Sequence, residues 1–303
     1  MNSLVSVVVV TFNPNPVALK RLLTALRPQV NSAIVVDNGS SNQATIRDLA
    51  KEYGATLICS EENIGIAAAQ NVGIEHALRN GADHVLLSDQ DSVPAPNMVQ
   101  QLMQCLGEQS SLPHSRPVAA IGPVPVDERG NRGDALVYSF TTWGPKRREI
   151  PEPGDVLEVP FVLASGCLIP RAALIDVGPM NEGLFIDHVD LAWCLRAIQK
   201  GYRVLACGDA RLTHELGEET TRLPGGREVH VQSPMRAYFM VRNTLLLMRA
   251  PFMPLKWKLG YIPYLTKYIG FYTLAPGRER RVPQMVEGLW DGITGKTGPF
   301  QDD

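Results

Sequence analysis

Short apolar runs alternate with longer segments of helical spacing over the N-terminal third of the chain. The β-branched run LVSVVVV at 4–10 is typical of a strand buried on both faces of a parallel sheet. The amphipathic segment 43–54 ends on Gly54, which fits a helix C-cap. The pattern predicts strands at 4–10, 33–37, 55–60 and 83–89, separated by helices at 17–27, 43–54 and 65–81. This alternation predicts an α/β fold with a doubly wound, mostly parallel sheet.

The pattern is less regular in the middle of the chain. Residues 108–160 are rich in Pro, Gly and charge, which predicts long loops around short strands, forming a flap over a site. Ser233 followed by Pro234 predicts the start of a helix. The other predicted elements are a buried strand in 159–170, helices at 171–178, 184–201 and 233–250, and a last strand at 202–207.

Polar residues follow each of the first four predicted strands. In a doubly wound sheet, ligands bind at the carboxyl ends of the strands. We therefore expect these polar groups to converge on one edge and to form a single site. The residues at these strand ends, most of them polar, are Thr11, Phe12 and Asn13; Asp37, Asn38 and Gly39; Glu61, Glu62 and Asn63; and Asp89, Gln90 and Asp91.

The first turn decides which kind of nucleotide site this edge can form. The stretch TFNPNPV after the first strand has no glycine, so it lacks the turn that brings a dinucleotide pyrophosphate to the backbone. The sequence DQD at 89–91 supplies instead the hard oxygen ligands that Mg²⁺ or Mn²⁺ shares with phosphate. Alone, this short string is better explained by a turn and a helix cap at Ser92 before Pro94.

Composition narrows the class of protein. The chain has 303 residues and a net charge of −2, which gives no overall attraction to nucleic acid. Its five cysteines are far apart and form no C-x-x-C pair, so we expect reduced thiols. The N-terminus lacks the basic region of a signal peptide, and no run of about 18 apolar residues occurs. We expect a cytoplasmic protein.

As an ordered set, several segments resemble family 2 glycosyltransferases of the GT-A fold. The resemblance extends from residue 4 to about 250, and FIDHVD with DQDS is most similar to bacterial rhamnosyltransferases that use dTDP-L-rhamnose. It implies a GT-A domain at 1–248, divided into a nucleotide-sugar half at 1–107 and an acceptor and catalytic half at 108–248, before a C-terminal helical extension at 249–303. The segments are VVVVTFN, VVDNGS, ENIGIAAAQNVGI, LLSDQDS, SGCLIP, LFIDHVDLAWCLR, LTHELGE and SPMRAYFMVRN.

The resemblance implies an inverting, metal-dependent transfer of L-rhamnose to an acceptor hydroxyl in cell-surface polysaccharide synthesis. Asp37 would accept from the pyrimidine ring, although a turn-forming role is the alternative. Gly65 would open a helix N-terminus that favours anions, while Asn71 would pin neighbouring loops. The implied donor-binding residues are Thr11, Phe12, Asn13, Asp37, Asn63, Gly65, Asp89, Gln90 and Arg242.

The same resemblance implies the metal ligands and the catalytic base. Asp91 and His214 would hold Mg²⁺ or Mn²⁺, unless His214 is structural. Asp190 occupies the position of the family's base, and Asp187 would supply a supporting charge because the usual acid two residues later is Ala192. Helix capping by either aspartate is the alternative. The acceptor or a phosphate would contact Ser165, Gly166, Arg236 and Tyr238, and a solvated basic face is the alternative for Arg236 and Arg242.

Two features leave alternatives open. The tail at 250–281 mixes aromatic and basic residues, which favours contact with an anionic inner membrane, but a packed helical subdomain or a homodimer contact explains it too. The loop 125–158 is expected to shape the site of a saccharide acceptor, which is lipid-linked in many relatives. Instead of a rhamnosyltransferase, the chain could be a transferase for another nucleotide sugar or a non-catalytic protein that binds one.

Overall fold

The computed structural model describes residues 3–126, 138–141, 144–147, 151–214, 220–222, 228–230 and 233–300, with side chains over 3–126, 151–213 and 233–300. The strands are β1 (Val5–Thr11), β2 (Ser32–Asn38), β3 (Thr56–Ser60), β4 (His84–Asp89), β5 (Ser92–Pro94), β6 (Val118–Val126), β7 (Tyr138–Thr141), β8 (Gly144–Arg147), β9 (Val156–Glu158), β10 (Leu168–Pro170), β11 (Arg203–His214), β12 (Thr220–Arg222) and β13 (Glu228–His230). The helices are α1 (Pro16–Leu26), α2 (Gln43–Glu52), α3 (Ile66–Arg79), α4 (Met98–Ser111), α5 (Arg171–Val177), α6 (Val189–Gln199), α7 (Pro234–Arg249), α8 (Leu255–Leu274) and α9 (Arg278–Thr294), with a short 3₁₀ helix at Glu182–Leu184.

Nine of the described strands form one mixed sheet. Its main path runs β3-β2-β1-β4-β10-β6-β11-β5, and β9 pairs with β11. The first four strands are parallel, with β1 between β2 and β4. The predicted alternation of strands and helices is therefore confirmed, and the carboxyl ends of β1, β2, β3 and β4 lie along one edge. The strand β10 pairs antiparallel with both β4 and β6, so the second half of the sheet departs from the parallel pattern.

Alternate residues of the central strands bury on opposite faces of the sheet. In β1, Val8 and Val10 join the core with α3 and α6, whereas Val7 and Val9 join the core with α1 and α4. Because both faces are covered, the strand reads as a continuous apolar run without polar alternation. This explains why the run at 4–10 is so uniformly β-branched.

The middle of the chain differs from the prediction. Only Leu168–Pro170 of the segment 159–170 forms a strand, although Val159 and Val162 are buried. Ser92 does not cap a helix: the segment Ser92–Pro94 pairs antiparallel with β11. Burial alone does not distinguish a strand from a packed loop, and this ambiguity explains why the predicted strand at 159–170 is too long.

Helices α7, α8 and α9 share a third apolar core. Ser233 caps α7 by accepting the backbone N–H of Arg236, as predicted. Gly288 and Gly292 let α9 approach the backbone of α7, since a Cβ at either position would crowd Tyr238 or Arg242 backbone atoms. The predicted boundary at 248/249 falls in the last turn of α7, and α7 shares this core with α8 and α9. No helix in the described ranges is long and apolar enough to cross a membrane.

One expectation about the cysteines is wrong. Cys105 on α4 and Cys207 on β11 form a disulfide, whereas the sequence predicted reduced thiols throughout. The two residues are 102 apart in sequence, so their spacing did not indicate the pairing. Cys59, Cys167 and Cys194 are free thiols.

Packing of α3 on the sheet generates a stability prediction. A Cβ added at Gly73 would overlap the side chain of Val8, whereas one at Gly107 on α4 meets open space. We expect Gly73→Ala to lower the free energy of unfolding by about 1–3 kcal/mol. Gly107→Ala should raise it by about 0.5–1 kcal/mol, because alanine is the better helix former. Urea unfolding of both variants measures the difference, and equal effects would contradict the packing described.

Candidate active site

The end of β1 is joined to the end of β4 by one side chain. The Gln90 side chain accepts the backbone N–H of Phe12 at 2.7 Å and donates to the Phe12 carbonyl at 3.2 Å. This reciprocal pair fixes the turn after β1, while the Phe12 ring stays 44% exposed. Gln90 thus has a structural contact that the sequence did not predict, and Phe12 presents a flat apolar surface at the site edge.

Asp37, at the end of β2, is fully buried, and hydrogen bonds from other residues of the protein occupy its carboxylate. One carboxylate oxygen accepts from the hydroxyls of Thr11 and Ser40, and the other from the Ser40 backbone N–H and the Gln43 amide. A carboxylate offers about four acceptor positions, and these contacts occupy them. This geometry favours the turn-forming alternative, since accepting from a base would require Ser40 or Gln43 to move away.

Asn13 extends the same network towards α2. Its backbone is left-handed, with φ of 47°, and its N–H donates to the Ser40 hydroxyl. Its side-chain oxygen accepts from both the N–H and the hydroxyl of Ser41. Asn13 therefore holds the loops after β1 and β2 together.

The N-terminus of α3 is occupied by another part of the chain. Asn63 accepts from the Asn38 side chain and from the Gly65 N–H, which ties the loop before α3 to the end of β2. The N–H groups of Ile66 and Ala67 both donate to the carbonyl of Phe185, at 2.8 and 3.4 Å. The predicted anion site at Gly65 is therefore corrected: a backbone carbonyl satisfies this helix end.

Gly65 is required by that contact. It has φ of 86°, and a Cβ there would lie 2.6 Å from the Phe185 ring. Asn71, further along α3, donates to the Met180 carbonyl and accepts the Met180 N–H. Its predicted role in pinning loops is confirmed, and α3 thus contacts the segment before α6 at two places.

Asp89 and Asp91 lie partly buried at the end of β4. The Asp89 N–H donates to the Ser165 hydroxyl, which itself donates to the Ser92 hydroxyl at 2.7 Å. Gly166 has φ of 82° and donates to the Leu87 carbonyl. Ser165 and Gly166 therefore hold the backbone of the Asp89–Ser92 turn, and Ser165 is buried rather than presented to an acceptor.

The segment before α6 has an unusual backbone. Phe185, Asp187 and His188 all have positive φ, at 64°, 63° and 63°. At Phe185 the Ile186 N–H closes a γ-turn onto the Leu184 carbonyl. Each such non-glycine residue costs about 1–3 kcal/mol, which contacts with the surrounding structure must offset. We call Gly183–His188 the catalytic loop because Asp190 follows it in the first turn of α6.

Asp190 has the properties of a general base. Burial raises its pKa to about 6, and the negative charges of Asp89 and Asp187 act in the same direction. The Leu191 N–H, which donates to its Oδ1 at 2.7 Å, acts against them. The structure thus brings Asp190 into electrostatic contact with Asp89, at the same edge of the sheet. A carboxylate poised near neutral pH is suited to accept a proton.

Asp187 is held differently. Its carboxylate is 6% exposed and pairs with Arg236 of α7, with Nη2 to Oδ1 at 2.6 Å. The ion pair occupies this carboxylate, so Asp187 acts as a charge beside Asp190 rather than as a second base. Arg236 is used in this ion pair and does not form the solvated face considered above.

Residues of α7 hold the catalytic loop. The Asn243 amide donates to the carbonyls of Leu184, Ile186 and Asp187, at 2.9, 2.6 and 3.1 Å. The His188 ring meets the Thr244 hydroxyl at 3.1 Å, and that hydroxyl donates to the Met240 carbonyl. Because each strained residue is flanked by such contacts, α7 fixes the backbone that leads to Asp190.

Two predicted contacts of α7 are corrected. Arg242 is fully buried against the Tyr238 and Phe239 rings, and it donates to Asn243 and to the carbonyls of Gly183, Leu184 and Gly298. It therefore has no face for a diphosphate. Tyr238 is also buried and donates to Asp291 at 2.6 Å, so it does not reach an acceptor. Helical spacing predicted which residues share a region but not which of them face inward.

Comparisons with known proteins identify the family. The model for "Glycosyl transferase family 2" matches residues 6–178. The chain is 30% identical over 308 residues to "dTDP-rhamnosyl transferase RfbF" of Shigella flexneri, covering 98% of each chain.

The chain belongs to glycosyl transferase family 2.

Solved structures agree on the fold of this glycosyltransferase. TarS of S. aureus superposes with a TM-score of 0.60 at 16% identity, over 96% of this chain and 49% of TarS. The present chain therefore spans about half the length of TarS. TarS 1–349 with UDP gives 0.59 at 17% identity, over 96% and 80% of the two chains. "GalNAc-T7 with UDP, GalNAc and Mn2+" gives 0.56 at 15% identity, over 97% and 57%. These likenesses confirm the predicted GT-A fold.

The strand register brings the two predicted metal ligands to neighbouring backbone positions. The antiparallel register of β5 and β11 sets His214 opposite Ser92, next to Asp91. The His214 side chain is outside the described residues, so its predicted role as a ligand stays a prediction. Among described side chains, one group of three potential ligands is found, Cys105, Cys207 and Asp209, whose two sulfurs are joined in the disulfide.

Sequence reasoning missed the residues that hold the catalytic loop. Asn243 and Phe185 lie inside the segments that carried the family resemblance, but neither has a reactive group. The available signal for Asn243 was an amide in a predicted helix between the apolar runs 239–241 and 245–248, because a buried amide requires partners. Nothing in the sequence indicated that the Phe185 carbonyl would cap α3.

Removing the Asn243 amide should weaken the loop. Asn243→Leu leaves three partly buried carbonyls without this donor, so we expect the free energy of unfolding to fall by about 1–3 kcal/mol. Transferase activity should fall as well, since the base would no longer be held. Asn80→Leu is the control, because the Asn80 amide makes one exposed contact, to the His76 carbonyl. Similar losses for the two variants, measured by urea unfolding, would contradict the role of Asn243.

Proposed function

We propose that this glycosyltransferase moves L-rhamnose from dTDP-L-rhamnose to a hydroxyl group of a saccharide acceptor in the synthesis of a cell-surface polysaccharide. The observation that carries the donor assignment is the 30% identity to a dTDP-rhamnosyl transferase over 98% of both chains. The site supports transfer because Asp190 combines burial, a raised pKa and proximity to the strand edge where nucleotide sugars bind in such sheets.

In the proposed mechanism, Asp190 takes the proton of the acceptor hydroxyl as that oxygen attacks the anomeric carbon. The bond to the diphosphate breaks on the opposite face, and the configuration inverts in a single displacement. No enzyme nucleophile is needed. Asp187 is paired with Arg236, and its charge helps to raise the pKa of Asp190. The fixed catalytic loop limits how far the base can move from the attacking oxygen.

A divalent cation is part of the proposal. Asp91 and His214 would hold Mg²⁺ or Mn²⁺ together with donor phosphate oxygens. Asp91 immediately precedes β5, and His214 lies opposite Ser92 on the neighbouring β11, which fits this donor set. When bound, the ion would neutralise charge on the departing diphosphate. The GalNAc-T7 structure contains Mn²⁺, which supports the choice for the fold and leaves the metal of this chain to experiment.

The donor is proposed to contact the exposed parts of the strand edge. The Phe12 ring contacts the nucleobase of the donor, and Asp89 faces the ribose or the transferred sugar. The other predicted donor residues support this edge and do not contact the donor directly, because their polar groups bond to neighbouring loops. They are Thr11, Asn13, Asp37, Asn63 and Gln90. The acceptor site is proposed to include the loop 125–158, most of which lies outside the described residues. A membrane contact or a homodimer would involve the C-terminal helices.

A donor panel tests the proposal. The enzyme is incubated with dTDP-, UDP- and GDP-sugars in Mg²⁺, in Mn²⁺ or in a chelator, and free nucleoside diphosphate is measured. We expect release from dTDP-L-rhamnose alone, and only with metal. Asp190→Asn should lower transfer by about 100- to 10,000-fold while donor affinity changes little, since a base acts mainly in the transition state.

Other results would change the assignment. Release from a UDP- or GDP-sugar would support a different donor with the same chemistry. No release from any donor, even with an acceptor extract, would favour the non-catalytic alternative. Turnover retained in Asp190→Asn but lost in Asp187→Asn would reverse the roles of the two aspartates.

The raised pKa of Asp190 predicts the acid limb of the pH profile. Below about pH 6 the carboxyl is protonated and cannot accept a proton, so kcat/KM should fall by about tenfold per pH unit. Asp187→Asn removes a negative charge that raises the pKa of Asp190, and the limb should therefore move to lower pH. Asp176→Asn, which changes an exposed carboxylate paired with Lys200, is the control and should leave the limb in place. An upward or absent shift in Asp187→Asn would contradict the assignment.

A further inference from the structure

Helix α8 has two faces of different character. Trp257, Tyr261, Leu265 and Tyr272 are buried against the rest of the protein. At 100° per residue, Leu255, Leu259 and Ile262 fall on the opposite side, and they are 71%, 47% and 50% exposed. Leu274, at the end of the helix, is 81% exposed. The exposed apolar stripe is therefore continuous over the first two turns.

Three of the aromatic residues that suggested a membrane contact from the sequence do not reach the surface. Trp257, Tyr261 and Tyr272 are buried, and Tyr261 packs edge-on against His188 of the catalytic loop. Tyr264 is 43% exposed. The exposed apolar stripe over the first two turns is aliphatic, and it carries the argument for a membrane contact.

The charge around this face indicates its partner. Helix α8 contains Lys256, Lys258 and Lys267 and no acidic residue. Lys256 and Lys267 are exposed and border the apolar stripe, and Arg278 and Arg280 follow at the start of α9. The segment 255–281 has six Lys and Arg residues and one acidic residue, in a chain whose net charge is −2. An apolar stripe bordered by lysines matches the interface of an anionic bilayer.

We propose that the Leu255–Ile262 face of α8 docks the protein on an anionic membrane surface. The helix would lie in the plane of the interface, with Leu255, Leu259 and Ile262 among the acyl chains and Lys256 and Lys267 at the phosphates. A second copy of the chain fits less well, because a two-fold interface would bring the two basic faces together. The docked face and Tyr261 lie on opposite sides of α8, and Tyr261 contacts His188 of the catalytic loop. The catalytic loop would therefore be held close to the bilayer.

Vesicle sedimentation of the full chain tests the docking, without donor or acceptor, so its outcome is independent of the proposed reaction. We expect binding to phosphatidylglycerol–phosphatidylcholine vesicles, weak binding to phosphatidylcholine alone, and loss of binding in high salt. Leu259→Asp with Ile262→Asp should lower the partition coefficient by at least about tenfold. Lys256→Glu with Lys267→Glu should do the same. Ile175→Asp on α5 is the matched control, because Ile175 is 64% exposed on an unrelated surface.

Three results would overturn the docking. The first is no sedimentation with anionic vesicles at low salt. The second is binding that the α8 variants and Ile175→Asp change equally. The third is a dimer in analytical ultracentrifugation that Leu259→Asp with Ile262→Asp dissociates, without vesicle binding, since the face would then join two copies. Unchanged thermal unfolding of the variants shows that the comparison is between folded proteins.

Discussion

The carbonyl of Phe185 is the contact on which the arrangement of the site depends. It accepts the first free N–H groups of α3, and so joins the nucleotide half of the sheet to the loop that precedes the base. Two independent demands meet there. A helix N-terminus requires acceptors, and a loop with positive φ at three non-glycine residues requires surroundings that hold it. The Phe185 carbonyl accepts from the N-terminus of α3, and α3 in turn holds the loop. Residue 65 is glycine because a side chain there would separate the helix from Phe185.

The fold of the first half was predictable because its signals are local. Apolar runs, helical spacing and terminal glycines depend on neighbours in sequence, and the parallel arrangement follows from the length of the crossovers. The predicted edge, with Asp37, Asn63 and Asp89 at successive strand ends, is present. The site was less predictable because which side chains face a ligand is decided by contacts across the chain. Ser40 and Gln43 occupy the acceptor positions of the Asp37 carboxylate. Carbonyls of the catalytic loop and of the C-terminal segment accept the N–H groups of Arg242.

The C-terminal helices are part of this arrangement rather than an appendage. Arg242 donates to the Gly298 carbonyl as well as to Gly183, so the end of the chain and the catalytic loop are held by one guanidinium. Close contact of α9 with α7 through Gly288 and Gly292 fixes α7 from its other side. A change in α8 or α9 can therefore reach Asp190 through α7, without any contact to substrate.

Position and acidity of the base are controlled by different residues. Amide and carbonyl groups set the position: Asn243 and the N-terminus of α3 hold the catalytic loop through neutral hydrogen bonds. Burial and charge set the acidity: Asp89 and Asp187 raise the pKa of Asp190, and Arg236 holds Asp187 in an ion pair. Hydrogen bonds of this kind do not titrate near neutral pH, so the loop keeps its shape while Asp190 gains and loses a proton. Substitutions on the two sides should accordingly separate, with one set changing the rate at every pH and the other moving the pH at which the rate falls.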